Sequence, residues 1–126
     1  MNYSKHKILL IIEDNPIMRE ALKTKLTLEG FSIETAEDGL AGLAMAEAVH
    51  PDLIVLDLYM PKVDGLEFLK KYKSVVKHRR TKVVVFSVGS DTKKIIEARE
   101  LGAVRYLTKQ TTTPAKLLEI IKELLK

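Results

Sequence analysis

The 126-residue chain has no cysteine and no tryptophan, only four prolines and six glycines, and no apolar run near the roughly 20 residues of a membrane span. Without cysteine, disulfides, thiolate metal sites and a cysteine nucleophile are excluded. That usage fits a cytoplasmic protein with no membrane partner. The polar N-terminus, Met1 to Lys7, runs straight into a strand-like stretch and does not read as a signal peptide. Hydrophobic residues make up 46% and charged residues 30%, which is ordinary for a globular chain and wrong for disorder. A chain of this length is expected to form a single domain, residues 1–126.

Net charge is +4, unevenly spread. Between Lys62 and Lys82 stand eight basic residues, Lys62, Lys70, Lys71, Lys73, Lys77, Arg79, Arg80 and Lys82, against Asp64 and Glu67. The segment carries +6 and the rest of the chain −2. No aromatic stacking residues accompany these charges as in a nucleic-acid groove, so a solvated helix end and loop is the preferred reading. Direct nucleic-acid binding, the rival, predicts a steep salt dependence of affinity.

Short apolar runs alternate with helical spacing along the whole chain. Ile8–Ile12, Leu53–Leu56 and Val83–Phe86 are solidly aliphatic or apolar, as strands buried on both faces must be. Phe31, Ile33 and Thr35, and the stretch from Val104 to Lys109, mix polar with apolar residues as edge strands do. Helices are expected from Ile17, Met18, Ala21, Leu22 and Leu26; from Leu40, Leu43, Ala44 and Ala48; from Leu66, Leu69, Tyr72 and Val76; from Ile95, Ala98 and Leu101; and after Thr113-Pro114. Thr113 is a good N-cap, and Pro114 suits the first helical position. Five β-α units imply an α/β fold: a five-stranded parallel sheet of order 2-1-3-4-5 flanked by five helices, flavodoxin-like and doubly wound.

Ligands in such sheets bind at the carboxyl ends of the strands. There the sequence places Glu13 and Asp14 after strand one, Asp57 after strand three, Ser87 at the end of strand four and Lys109 at the end of strand five. Neighbouring strands are about 4.8 Å apart, so Asp14 and Asp57 can reach one ion. Crowded carboxylates repel, and a hard divalent cation such as Mg²⁺ neutralises them best. A carboxylate, a metal, a hydroxyl and an ammonium around one point form a set suited to phosphoryl transfer, with Asp57 attacking phosphorus. Asp38, Asp52 and Asp91 read instead as caps or turn residues. His6, His50 and His78 share no spacing that indicates a metal cluster or triad.

The stretches IIEDNPIMREAL (Ile11 to Leu22), DLIVLDLYMPKVDGLEFL (Asp52 to Leu69), VVVFSV (Val83 to Val88) and ELGAVRYLTK (Glu100 to Lys109) are similar, in order and spacing, to the receiver domain of bacterial two-component response regulators. The resemblance covers about Lys7 to Leu125. It implies that Asp57 accepts a phosphoryl group from a histidine kinase, or from a small acyl phosphate. It implies Mg²⁺ held by Asp14, Asp57 and the backbone carbonyl of Tyr59, with Glu13 helping. Ser87 would turn toward the phosphoryl oxygens, Lys109 would pair with them, and Tyr106 would fill the space Ser87 leaves.

The implied output surface is helix four, strand five and helix five. Implied partners are a histidine kinase or phosphotransfer protein, and a downstream effector or a C-terminal output domain. The margin of the last helix, with Leu117, Leu118, Ile120, Ile121, Leu124 and Leu125 mostly in the core, is available to a partner or to a second copy of the chain.

Three positions depart from the family pattern. Gln110 follows Lys109 where a cis proline is usual; a non-proline cis bond costs about 2.5–4 kcal/mol, so a trans bond and an altered loop are expected. Val88 is bulkier than the usual small residue, and Tyr59 puts a large ring near the mouth of the site. A receiver-shaped binding module that takes no phosphate is the alternative that Gln110 and Val88 motivate, against the intact acidic pair, Asp57, Ser87 and Lys109. A turnover enzyme of the haloacid dehalogenase kind is disfavoured, because Tyr59 stands where its second aspartate would be.

Overall fold

The computed structural model describes residues 6–75, 80–89 and 91–126. Strands β1 (Ile8–Ile12), β2 (Ser32–Ala36), β3 (Leu53–Leu56), β4 (Lys82–Ser87) and β5 (Ala103–Thr108) alternate with helices α1 (Pro16–Leu28), α2 (Gly39–Val49), α3 (Gly65–Val75), α4 (Thr92–Glu100) and α5 (Pro114–Leu124). All pairings are parallel, in the order β2-β1-β3-β4-β5. The two strands expected at the edges are at the edges. Val76 of the expected third helix, and Lys77, His78 and Arg79, lie outside the described residues.

Side chains alternate across a strand, so each central strand feeds two cores. Leu10 and Ile12, Ile54 and Leu56, and Val83 and Val85 face one cluster, with Ala46 of α2, Phe68 and Leu69 of α3 and Ala98 of α4. Leu9 and Ile11, Leu53 and Val55, and Val84 and Phe86 face the other, with Leu22 and Leu26 of α1 and Leu117 and Ile121 of α5. That is why these three strands read as unbroken apolar runs. Each fully buried side chain of this size contributes about 1.5–3 kcal/mol.

The helix starts follow the sequence. Asn15 caps α1 by accepting from the Ile17 and Met18 amides, Asp38 caps α2, Asp91 caps α4, and Thr113 caps α5 ahead of Pro114. Asp52 accepts a hydrogen bond from the Ile8 amide at 2.8 Å and so ties β1 to the start of β3. The inward face of α2 differs from expectation. Leu40 is 58% exposed, and Ala44 and Ala48 are exposed, whereas Gly39, Gly42 and Ala46 are buried. The reason is close approach: a Cβ on Gly42 would come within 2.6 Å of the Ile12 side chain, so α2 meets β1 through its smallest residues. Ile17 and Ala21 of α1 also face solvent, leaving Leu22 and Leu26 to anchor that helix.

Much of the basic segment is engaged within the protein. Lys62 pairs with Asp38 at 3.6 Å, Lys70 with Glu97 at 3.4 Å, and Lys73 donates to the Glu100 carbonyl at 3.4 Å. Lys82 donates to the Leu124 carbonyl. These contacts are mostly exposed and individually worth little, but they give the charges a local role between neighbouring helices.

The β4–β5 ladder contains one irregularity. Val83 is opposite Ala103 but Val84 is opposite Arg105, so Val104 is an extra residue on the edge strand. Beyond it the pairs run Val85–Tyr106, Phe86–Leu107 and Ser87–Thr108. Such a bulge resets which side chains face which layer.

Candidate functional site at the carboxyl edge of the sheet

The ladder brings the strand ends level. The Asp57 amide donates to the Ile12 carbonyl at 3.1 Å, the Glu13 amide to the Ala36 carbonyl at 3.0 Å, and the Lys109 amide to the Ser87 carbonyl at 2.9 Å. Glu13, Asp57, Ser87 and Lys109 are therefore held by sheet hydrogen bonds rather than by loop conformation. Arg19 adds a clamp that the sequence did not signal: its guanidinium donates to the Glu13 carbonyl at 2.9 Å from the first turn of α1.

Carboxylate oxygens of Glu13, Asp14 and Asp57 lie within 4.8 Å of one another. Glu13 is 2% exposed and Asp57 5%, while Asp14 is open to solvent. The Ser87 hydroxyl donates to Asp57 Oδ1 at 2.7 Å and accepts from the Leu58 amide at 3.2 Å. The Tyr59 amide folds back to the same Oδ1 at 3.2 Å. Lys109 Nζ lies 3.5 Å from Asp57 Oδ2 but only 2.6 Å from Glu13 Oε1. Its principal partner in this structure is thus Glu13, a pairing the sequence reading did not anticipate.

Burial pushes the Glu13 carboxyl above its ordinary value, the Lys109 hydrogen bond opposes that, and the Asp57 charge adds to the rise. Three carboxylates faced by one ammonium carry a net charge of −2 when ionised, which matches a divalent cation with oxygen ligands.

Tyr106 stands half-buried against the α2–α4 cluster, and its hydroxyl is buried with no hydrogen-bond partner. Burial raises its phenol above the ordinary value, and Tyr59, Asp91 and Asp57 add to the effect. The unfolded chain releases this proton first, so the phenol's contribution to stability is whole below the ordinary tyrosine value and is lost as pH rises through the higher folded one. An ultraviolet titration is expected to lose a late-ionising component in Tyr106→Phe; a high-pH limb unchanged by that substitution would contradict this.

No cis peptide bond occurs among the described residues, so the Lys109–Gln110 bond is trans, as expected. The loop after it closes on Thr108, whose carbonyl accepts from the Thr112 amide at 3.0 Å. Val88 is exposed. His50 occupies a left-handed cap after α2, and His6 lies before β1, so neither belongs to the site.

The fold and rim place the protein among doubly wound α/β domains with an acidic pocket at the carboxyl edge of the sheet. The family model of the response regulator receiver domain matches residues 9–122, and the chain belongs to that family, a component of two-component signalling. The nitrate/nitrite response regulator protein NarL of Escherichia coli (strain K12) is 33% identical over 125 residues, 98% of this chain and 56% of NarL. The CheY-like response regulator receiver domain protein of Methanospirillum hungatei superposes with a TM-score of 0.88 at 28% identity, over 94% of this chain and 93% of that one. A CheX–CheY–BeF3–Mg2+ complex from Borrelia burgdorferi gives 0.85 at 25% identity, over 95% and 90%. The chain spans from about a fifth to a little over half of the length of such curated relatives. Among the described residues no helix is long and apolar enough to cross a membrane.

Proposed function

We propose that the protein is a phosphorylation-switched receiver in which Asp57 accepts a phosphoryl group from a histidine kinase, a phosphotransfer protein or a small acyl phosphate. The observation that carries this reading is the convergence on Asp57. Oδ1 takes the Ser87 hydroxyl and the Tyr59 amide, while Oδ2 faces the Lys109 ammonium. The three neighbouring carboxylates fit Mg²⁺, which Glu13, Asp14, Asp57 and the backbone carbonyl of Tyr59 would hold. When bound, the ion supplies positive charge to phosphoryl oxygens.

The chain's own residues do the rest. An Asp57 carboxylate oxygen bonds to phosphorus as the bond from phosphorus to the donor breaks, and that electron pair leaves with the donor. Ser87 and Lys109 are placed to donate hydrogen bonds to the transferred oxygens, which draws both away from Asp57 and Glu13. Tyr106, beside this rim, reads the change as a switch residue. The output surface is the face of α4, β5 and α5, where Ile96 and Val104 are exposed. It would meet a downstream effector, a C-terminal output domain or a second copy of the chain, in the cytoplasm. The Borrelia complex, which holds BeF3 and Mg²⁺, supports this reading.

With acetyl phosphate and Mg²⁺, intact mass spectrometry is expected to show a single phosphoryl adduct, with fragments placing it on Asp57. No adduct, or an adduct elsewhere, overturns the proposal.

A further inference from the structure

The mouth of the site contains residues that phosphoryl acceptance does not use. Tyr59, two residues after Asp57, is 39% exposed, and Lys94 Nζ stands 4.2 Å from the centroid of its ring. Lys94 belongs to the first turn of α4, whose start is fixed by Asp91 Oδ1 accepting from the Lys93 amide at 2.9 Å. The Tyr59 hydroxyl reaches toward Gly89, where an added Cβ would stand 4.0 Å from it. The Gly89 amide in turn donates to Gln110 Oε1 at 3.4 Å. Lys94 in α4, and Tyr59, Gly89 and Gln110 on three loops, therefore stand near one another along the rim. Tyr59 and Lys94 also border an open cleft of about 370 Å³ that Asp14, Met60 and Pro61 help to line.

We propose that Lys94 is a positioning residue: its ammonium holds the Tyr59 ring across the mouth, and the held ring shields the aspartyl phosphate from water. The inference rests on Asp57 being the phosphoryl acceptor. In the reaction it slows, a water oxygen bonds to phosphorus and the bond from phosphorus to the Asp57 oxygen breaks. The electron pair returns to the carboxylate, and the water protons leave with inorganic phosphate. The attacking and departing oxygens must be roughly in line. An aromatic ring on an exposed loop would otherwise exchange rotamers within nanoseconds. A cation over its face favours one position by about two- to fivefold at an exposed site.

The test loads the full chain with acetyl phosphate and Mg²⁺, removes the donor and follows loss of the phosphoryl group by mass spectrometry. Lys94→Met, which keeps length but loses charge, is expected to decay about two- to fivefold faster than wild type. Lys94→Arg, which keeps the cation, is expected to decay near the wild-type rate. In a Tyr59→Ala background, adding Lys94→Met should change nothing further. Decay of Lys94→Met at the wild-type rate, or a further acceleration in the Tyr59→Ala background, overturns the inference. Failure of the wild type to load at all overturns instead the acceptor assignment beneath it.

Discussion

Asp57→Asn is expected to take up no phosphoryl group from acetyl phosphate and Mg²⁺, while circular dichroism and cooperative unfolding stay those of the wild type. The argument is local. An amide lacks the anionic oxygen that attacks phosphorus, so the loss should be complete rather than graded. The carbonyl oxygen of the new amide would still accept from the Ser87 hydroxyl and the Tyr59 amide, which approach Asp57 Oδ1 at 2.7 and 3.2 Å. The buried Leu56 and Leu58 on either side are untouched. Removing one of three crowded carboxylates is also expected to lower Mg²⁺ affinity by at least about tenfold, a loss that disturbing outer-shell partners alone can cause. Calorimetric titration with Mg²⁺ checks the second part. Phosphorylation of the Asp57→Asn chain would move the acceptor elsewhere.

Gly65→Ala is expected to destabilise the protein by about 1–3 kcal/mol through overpacking. A Cβ at that position would lie 2.5 Å from the Leu58 Cα and 2.7 Å from the Asp57 carbonyl oxygen, and both are backbone atoms that no rotamer change can move. The Gly65 amide also donates to the Leu58 carbonyl at 3.0 Å, so the start of α3 is pinned to the segment that carries Asp57. Relief requires α3 to back away or the Asp57 segment to shift. Denaturant unfolding would therefore show a lower midpoint, and Mg²⁺ affinity should fall with it. An unchanged midpoint would mean that the contact relaxes at no cost.

Strand order was legible because burial on both faces leaves a mark in composition: Ile8–Ile12 and Val83–Phe86 have no polar residue to turn outward, whereas β2 and β5 do. The acidic site was legible for a related reason, since Asp57 and Ser87 end apolar runs abruptly and the sheet brings such ends together. The face of α2 was not legible. Leu40 obeys the helical period yet points to solvent, and the deciding quantity, the gap between Gly42 and Ile12, depends on how near a helix lies to a strand. The Lys109–Glu13 and Lys94–Tyr59 contacts join residues far apart in the chain through side-chain reach, and no spacing encodes reach. Gln110 was legible as a departure, but its bond to Gly89 was not.

The bulge at Val104 absorbs one residue, so Arg105 to Thr108 keep step with Val84 to Ser87. Deleting it would set Ala103 and Arg105 side by side opposite Val83 and Val84, a regular ladder in which Tyr106 keeps its place opposite Val85 on the α2–α4 side. Ironing the bulge out with Val104 kept in the ladder would instead turn the Tyr106 ring toward α5, so the side of the sheet on which Tyr106 stands is bound to one irregular step of an edge strand.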